Sequence, residues 1–531
     1  MNKISLIFPL VLLNSCINKQ NETDTASIKT LPNIVYILAD DMGYGDLSSL
    51  NSKSGIKTPN MDKIVEEGIY FTDAHSNSSV CTPTRYGILT GRYAWRSRLN
   101  SGVLWGYDQP LIEEERVTVA SYLKDNGYNT ACIGKWHLGL GWKEKDSTKP
   151  IVKYKGKEVF EKGDDSNVDF SKPISGPNEL GFDYSYIIPA SLDMTPYLYI
   201  ENGKSVELPT AYTEGKSQDK DGRGVFWRPG EVSPSFNFNT VLTHFTDKVV
   251  SYISTQESSE KPFFVYFPLT APHTPWLPTG EANGKSKAGR YGDFVTMVDD
   301  AVGAVVEALE KAGKTENTLI IVTSDNGSHW TPKDKQQYAH RANYIFKGQK
   351  ADIYEGGHHV PYIAKWPTKI KPGSSSNQII CTTDLLATLS GITGKSLPTG
   401  AGEDSYNMLP AYLSSINNQQ IRDYTIHHSL NGFFSIRKGK WKLTTQLGSG
   451  GFSAPSEISL GTVKAMGTLY DMENDIEEKN NLYDVNPKIV EELTRILSLL
   501  RPFGWGSIPS VFFKESQKIF GETNPIASCY I

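Results

Sequence analysis

Short runs of apolar residues, each followed by polar residues, recur along the first two thirds of the chain. Residues 33–38, 263–269 and 319–324 are apolar and partly β-branched, and residues 130–134 form a shorter run of the same kind. Continuous rather than alternating apolar character is typical of strands buried on both faces of a parallel sheet. These runs therefore predict the central strands of one large sheet.

Helical patterns separate these strands. Thr58 and Pro59 are typical of a helix start, and Gly68 ends that segment. Residues 119–125 and 294–312 have helical periodicity and are followed by Gly127 and Gly313. Strands that alternate with helices predict an α/β fold, with a large, mostly parallel sheet sandwiched by helices on both faces.

The pattern changes beyond about residue 420. Residues 434–443 predict a hairpin, residues 469–471 another strand, and residues 487–500 an amphipathic helix. We therefore predict a catalytic domain at 31–418 and a smaller C-terminal α+β domain with an antiparallel sheet at 419–531.

The first thirty residues read as an export signal. Lys3 precedes an apolar run at 4–13 that is too short to span a membrane. Leu13-Asn14-Ser15-Cys16 resembles a bacterial lipoprotein cleavage box, which predicts a signal at 1–16, lipidation of Cys16 and a polar tether at 17–30. A plain secretory signal with an incidental cysteine is the alternative. Both alternatives predict export to the periplasm or cell surface. A lipid on Cys16 would be the only contact with the membrane.

Composition narrows the class of protein. The 531 residues are 38% hydrophobic and 21% charged, with a net charge of −5, which indicates a folded chain and argues against a nucleic-acid partner. Five cysteines are too few for a disulfide framework in a chain this long. A single disulfide among Cys132, Cys381 and Cys529 is possible, and the sequence does not assign its partners.

Polar residues follow the predicted strands at the edge where parallel sheets bind ligands. Asp40 and Asp41 follow the first strand, and Asp325 and Asn326 follow the run at 319–324. Three carboxylates and an amide oxygen suit calcium or magnesium better than zinc. The alternative is a pair of exposed turns, which are common individually.

Cys81-Thr82-Pro83-Thr84-Arg85, followed by Thr90-Gly91-Arg92, resembles the modification motif of type I sulfatases. In that family the cysteine is oxidised to formylglycine by a maturation enzyme, and the hydrated aldehyde attacks sulfur. The resemblance implies one calcium ion held by the four residues that follow the strands together with residue 81.

Further strings extend the resemblance across nearly the whole chain after residue 33. Gly134-Lys135-Trp136-His137 and Pro272-His273 match family segments, and Lys350 precedes a Glu-Gly-Gly block. The match implies that Arg85 stabilises the nucleophile, that Lys135 and Lys350 bind sulfate, that His137 accepts a proton and that His273 donates one. Lys347 competes with Lys350 for its role, and His359 stands where the family usually has Arg.

The predicted activity is hydrolysis of sulfate esters on carbohydrate, either glycosaminoglycan oligosaccharides or algal polymers such as ulvan, carrageenan or fucoidan. Long loops supply candidate substrate contacts, namely Asp193, Trp330, Arg341 and His428. Two alternative functions remain. The first is a phosphate or phosphonate ester hydrolase of the same superfamily, which a count of bound metal ions would distinguish from a sulfatase. The second is a non-catalytic glycan-binding lipoprotein.

Overall fold

A computed structural model of the protein describes residues 30–155, 158–162, 165–218, 223–415, 419–459 and 466–500. The predicted signal peptide, the lipidation site Cys16, nearly all of the tether and Cys529 lie outside the described residues. Within them, no helix combines the length and hydropathy needed to cross a membrane.

The described strands are β1 (Asn33–Asp40), β2 (Ile69–Phe71), β3 (Ala74–His75), β4 (Asn129–Lys135), β5 (Val152–Lys155), β6 (Glu158–Lys162), β7 (Tyr184–Ile188), β8 (Ile200–Glu201), β9 (Lys204–Ser205), β10 (Ala211–Thr213), β11 (Lys216–Ser217), β12 (Phe226–Trp227), β13 (Gly230–Val232), β14 (Phe263–Pro272), β15 (Thr318–Ser324), β16 (Tyr362–Lys365), β17 (Ser374–Ser376), β18 (Ile380–Cys381), β19 (Thr425–His428), β20 (Phe434–Lys438), β21 (Trp441–Thr444) and β22 (Thr468–Asp471).

The described α-helices are α1 (Pro59–Glu66), α2 (Cys81–Thr90), α3 (Val119–Asp125), α4 (Val241–Thr255), α5 (Gly289–Lys311), α6 (Pro332–Gln337), α7 (Glu355–His358), α8 (Leu385–Thr393), α9 (Leu409–Tyr412) and α10 (Pro487–Leu500).

A ten-stranded sheet organises most of the chain, in the order β17-β2-β16-β15-β1-β14-β4-β7-β8-β9. Its five central strands, β15 to β7, run parallel. On either side of them, β16 and β8 pair antiparallel with their neighbours. The predicted fold class is confirmed, since helices cover both faces of a mostly parallel sheet.

The two faces of this sheet belong to two separate apolar cores, as β1 shows directly. Its even-numbered residues from Ile34 to Leu38 pack in one core with α2, α3 and α8. Its odd-numbered residues from Val35 to Ala39 pack in the other core with α1, α4 and α5. Full burial of each large aliphatic side chain contributes roughly 1.5–3 kcal/mol, so burial on both faces explains the continuous apolar runs.

A second, four-stranded antiparallel sheet has the order β19-β20-β21-β22. Its apolar face packs against α10 through Val490, Leu493 and Leu497. This sheet and helix match the α+β architecture predicted for the C-terminal part, while the boundary at residues 418 and 419 stays a prediction.

Two sequence expectations need adjustment. Helix α5 begins at Gly289, five residues before the predicted start, and Asp293 accepts hydrogen bonds from the backbone N–H of Gly284 and Ser286. Among the described cysteines, Cys81, Cys132 and Cys381 are all free thiols. A disulfide between Cys132 and Cys381 is therefore excluded in this structure.

Candidate active site

The carboxyl ends of the central strands bring the candidate residues together. In the sheet, Ala39 of β1 lies beside Ser324 of β15, and Asp40 lies beside Pro272 of β14. The residues that follow, Asp41, His273 and Asp325, therefore leave the sheet at one edge. β4, the next strand along, ends at Lys135 on the same edge because it is parallel to β14.

Two buried ion pairs join lysines to the adjacent aspartates. Lys135 Nζ lies 2.6 Å from Asp40 Oδ2, and both side chains are buried. Lys350 Nζ lies 2.7 Å from Asp41 Oδ1, and His273 Nε2 lies 3.8 Å from Asp41 Oδ2. Asp41 has a φ of +70°, a left-handed conformation that is uncommon outside glycine. The backbone thus turns sharply and presents both carboxylates to lysines from distant parts of the chain.

Cys81 is the first residue of α2, and Arg85 lies one turn further along the same helix. The Arg85 guanidinium donates to Asp325 Oδ2 through Nε at 3.0 Å and Nη2 at 2.8 Å. Nη1 donates to the backbone carbonyl of Lys135 at 2.9 Å. Arg85 thereby fixes α2 against the ends of both β15 and β4, and this holds Cys81 beside Asp40 and Asp325, with ligand atoms of the three within 4.8 Å of one another.

Burial and neighbouring charges shift the pKa values of Asp40 and Asp325 in opposite directions. Burial alone would raise the pKa of Asp40, but Lys135, His273 and Arg85 outweigh it and hold that pKa well below its usual range. Asp325 differs, because burial and the neighbouring Asp40 carboxylate raise its pKa to about 7 despite its bond to Arg85. Burial raises the pKa of the Cys81 thiol. The unmodified thiol is therefore a poor nucleophile at neutral pH.

Hydrogen bonds to backbone carbonyls fix the tautomers of both histidines. His137 Nε2 lies 2.7 Å from the carbonyl of Leu104, so Nε2 carries the proton. Burial and the charge of Lys135 hold the pKa of His137 well below its ordinary value, so Nδ1 is an unprotonated base. His273 Nδ1 donates to the carbonyl of Thr274 at 2.6 Å, which leaves its Nε2 facing Asp41.

Lys135 and His137 do not lie on one extended segment. The strand ends at Lys135, and His137 has a φ of +58°. The chain turns there, and the N–H groups of Trp136 and His137 bond the carbonyls of Ile188, the last residue of β7, and of Pro189, which follows it. Both side chains are still buried, and the charge of Lys135 acts on His137.

The polar atoms at this edge fit a hard divalent cation. Within the described residues, Asp40 Oδ1 and Asn326 Oδ1 are buried without a hydrogen-bond partner, an arrangement that costs free energy unless a ligand is bound. Asn326 Nδ2 donates to Asp41 Oδ1 at 2.7 Å. The other side-chain atom of Asn326, the unpartnered Oδ1, therefore points away from Asp41. Carboxylate and amide oxygens are the ligands that calcium and magnesium prefer.

Comparison with known proteins now decides the family. A sequence model of the family described as Sulfatase matches residues 32–395, well over half of the chain. The chain belongs to the sulfatase family. It is a sulfuric ester hydrolase, and the predicted resemblance is confirmed.

Relatives and solved structures agree with this assignment. An N-acetylgalactosamine-6-O-sulfatase from Bacteroides thetaiotaomicron is 31% identical over 541 residues, covering 94% of this chain and all of the relative. Human arylsulfatase A is 29% identical, with 94% and 92% of the two chains covered. A solved Bacteroides thetaiotaomicron structure, described under the metabolism of multiple glycosaminoglycans, superposes with a TM-score of 0.75 at 30% identity and covers 88% and 99% of the two chains.

Two of the four candidate substrate residues of this sulfatase are buried. Trp330 is 1% exposed and packs against Tyr291 and His340 at 5.1 and 5.4 Å between ring centroids. His428 is fully buried beside Trp95 and Phe434. Both side chains are covered by neighbouring residues in this structure, and their roles as substrate contacts stay predictions.

The other two candidates lie in different surroundings. Arg341 is exposed, but its guanidinium donates to carbonyls of its own loop, those of Tyr338, Ala339 and His340. Asp193 follows β7 and pairs with Arg228 at 2.5 Å. Lys347, the rival of Lys350, donates instead to the carbonyl of Glu478 at 3.1 Å.

Sequence reasoning missed His329, although it lies three residues beyond Asn326. It is half-buried, and burial together with Arg223 and Lys350 lowers its pKa to about 3. Arg223 Nη1 donates to the His329 carbonyl and pairs with Asp334 at 2.8 Å. A neutral imidazole is thus placed beside the positive groups of the sulfatase site.

Sequence reasoning also missed a buried charge network behind the site. Lys442 on β21 lies 3.0 Å from Glu355 and 2.9 Å from Glu478, and all three side chains are buried. It also contacts a group of three buried imidazoles that we call the histidine cluster, His75, His358 and His427. The network supports α7, where the Gly357 carbonyl accepts from Gly327 of the Asp-Asn-Gly loop at 2.9 Å.

Proposed function

We propose that this sulfatase releases inorganic sulfate from sulfated saccharides, with a nucleophile formed from Cys81 and with one calcium ion. The observation that carries the proposal is the position of Cys81 at the start of α2, within reach of Asp40 and Asp325 and close to two buried lysines. The named activities of the relatives favour glycosaminoglycan saccharides, with 6-O-sulfated N-acetylgalactosamine as the first candidate. Ulvan, carrageenan and fucoidan stay predictions.

Asp40, Asp41, Asp325, Asn326 and residue 81 would hold the calcium ion. The ion would supply positive charge that draws sulfate and nucleophile together. Conversion of Cys81 to formylglycine would supply a hydrated aldehyde in place of a thiol whose pKa burial has raised. Export to a bacterial envelope, where lipidation of Cys16 would anchor the enzyme, is part of the same proposal.

Two lysines and a histidine bind the sulfate oxygens in this proposal. Lys135 and Lys350 are already desolvated and fixed by their aspartates. Their charges need no reorganisation when substrate arrives, which is the usual source of electrostatic catalysis. His273 presents Nε2 to the same region, and as an imidazolium, with Nδ1–H bonded to Thr274, it would give the Nε2 proton to the leaving oxygen of the sugar.

His137 acts as the general base through Nδ1. The carbonyl of Leu104 keeps the proton on Nε2, and burial with nearby positive charge keeps the ring neutral. A base of this kind contributes about two to four powers of ten in rate. Arg85 acts as a positioning residue, since its guanidinium joins Asp325 to the end of β4.

The experiment is to express the chain with a formylglycine-generating enzyme and weigh the peptide that contains residue 81. Sulfate release from N-acetylgalactosamine 6-sulfate is then followed by ion chromatography. We expect an aldehyde mass and turnover, loss of turnover in Cys81→Ser, and retention in the matched control Cys381→Ala, another buried free cysteine. Bound calcium near one equivalent separates the proposal from a two-metal phosphatase. An unmodified thiol with full turnover would contradict it.

A further inference from the structure

An exposed tryptophan, Trp105, immediately follows a residue that is bonded to two catalytic segments. The backbone N–H of Leu104 donates to Thr82 Oγ1, next to Cys81, at 3.2 Å, and its carbonyl accepts from His137 at 2.7 Å. The next residue, Trp105, is 51% exposed. Leu104 is thus fixed on both sides by the catalytic segments, and the exposed Trp105 is the next residue along the chain.

The loop that carries Trp105 is held rigidly. The Trp105 N–H donates to Asp108 Oδ2 at 2.6 Å, and the Gly106 carbonyl accepts from Trp142 Nε1 at 2.9 Å. A Cβ at Gly106 would lie 2.0 Å from the carbonyl of Thr195, so no larger residue fits there. A rigidly held and exposed aromatic ring offers a flat apolar face with little conformational entropy to lose on binding.

An arginine lies over this ring. The Arg228 guanidinium carbon is 5.0 Å from the Trp105 ring centroid and 5.1 Å from that of Phe226. Its side chain is 36% exposed, and the hydrogen bonds described for it all run through Nη1, to the carboxylate and carbonyl of Asp193. Within the described residues, Nη2 and Nε therefore remain able to donate to a bound molecule.

Asp193 supplies a second, independent indication of a ligand. Its side chain is only 7% exposed, and its Oδ1 is buried without a hydrogen-bond partner among the described residues. The carboxylate fixes Arg228 with one oxygen and leaves the other to accept from a hydroxyl or amide. The backbone of the same loop reaches the catalytic segment, because His137 N–H donates to the carbonyl of Pro189.

We infer that Trp105, Arg228 and Asp193 form a subsite for a second anionic group of the saccharide. A pyranose ring packs on Trp105, a carboxylate or sulfate binds the free edge of Arg228, and a sugar hydroxyl donates to Asp193 Oδ1. The planar guanidinium suits such oxygen pairs. The inference rests on the proposed function and adds that the preferred substrate carries two anionic groups, only one of which is hydrolysed.

Three defined probes test the subsite. N-acetylgalactosamine 6-sulfate carries one anion, N-acetylgalactosamine 4,6-disulfate carries a second sulfate, and the unsaturated chondroitin 6-sulfate disaccharide carries a uronate carboxylate. For each, kcat/KM for release of the 6-sulfate is measured in wild type, Arg228→Ala, Arg228→Lys and Trp105→Ala. Arg495→Ala, an exposed arginine on α10, is the matched control.

We expect the ratio of kcat/KM for a dianionic probe to that for the monoanionic probe to fall about 10- to 100-fold in Arg228→Ala, mainly through KM. Arg228→Lys restores part of the ratio, because it keeps the charge without the planar fork. Trp105→Ala lowers kcat/KM for all three sugars about 2- to 10-fold. Arg495→Ala keeps the wild-type ratio.

The probes distinguish the source of the second anion and the possible failures. A fall confined to the disulfate assigns Arg228 to a second sulfate, and one confined to the disaccharide assigns it to a carboxylate on the neighbouring sugar. An unchanged ratio for both, in an enzyme that hydrolyses all three probes, overturns the subsite and leaves the proposed function standing. A wild-type enzyme with aldehyde at residue 81 that hydrolyses none of them overturns both.

Discussion

Replacing Lys442 by methionine tests how far the buried charge network supports this sulfatase. Lys442 is fully buried, and its ammonium is within 3.1 Å of three groups: two carboxylates, Glu355 and Glu478, and the imidazole of His358. Methionine fills similar space but leaves two carboxylates buried side by side. Breaking a buried ion pair in this way costs about 3–5 kcal/mol in the free energy of unfolding.

The matched control lies two residues away. Lys440 pairs with Asp471 at 2.7 Å, but its side chain is 41% exposed. An exposed pair contributes about 0–1 kcal/mol, so Lys440→Met should cost no more than that. Equilibrium urea unfolding at pH 7, followed by tryptophan fluorescence, measures both variants against wild type.

The pH dependence of its stability is a second test of the Lys442→Met variant. Without the ammonium, the two carboxylates raise each other's pKa in the folded protein. An acid whose pKa is raised by folding contributes stability that is present at low pH and lost as the pH rises. The difference in the free energy of unfolding between wild type and Lys442→Met should therefore become smaller as the pH falls from 7 to 5.5. Equal losses in Lys442→Met and Lys440→Met at pH 7 would refute the reasoning.

Three further outcomes are expected. His137→Ala should lower kcat for sulfate release by about two to four powers of ten, measured where urea unfolding shows the variant to be folded, and a loss below ten-fold would remove His137 from the role of base. Burial lowers the pKa values of the histidine cluster, so its stabilisation is present above about pH 6.5 and lost as the pH falls. If all three imidazoles stay neutral in the fold, the free energy of unfolding drops by about 4 kcal/mol between pH 7.5 and pH 5.5, and a flat urea midpoint over that range would contradict this. In Gly327→Ala the new Cβ would lie 1.9 Å from the carbonyl of Gly356, so we expect reduced calcium affinity by titration calorimetry, whereas wild-type affinity would show that the loop can shift freely.

Much of the fold was predictable because its strongest signals are local. A strand that is buried on both faces must be apolar throughout, so β1, β14 and β15 were visible as continuous runs. Strands of two or three residues, such as β8, β9 and β17, carry too few positions for any periodicity. Such edge strands are specified by their neighbours in the sheet rather than by their own residues.

The sequence by itself determined which side chains are available at the carboxyl ends of the strands, because most of the candidates end a strand, closely follow one or open a helix: Asp40, Asp41, Lys135, His273, Asp325, Asn326 and Cys81. It also determined their chemistry, since oxygen ligands, lysines and histidines have fixed preferences. Only the tertiary structure decided the pairing. Lys350 bonds Asp41 across 309 positions of the chain, and Lys442 reaches Glu355 from another sheet.

The same limit explains why local sequence did not predict the burial of Trp330. Trp330 and Trp105 both follow polar or loop segments, yet one is 1% exposed and the other 51%. Local sequence does not distinguish them, because the burial of a ring depends on which helices and loops fold over it. Trp330 is covered by residues that begin α5 and follow α6, whereas Trp105 follows Leu104, which bonds His137, and meets Arg228 from a loop over one hundred residues away. Contacts between such distant segments follow from the order of strands in the sheet, which no local pattern encodes.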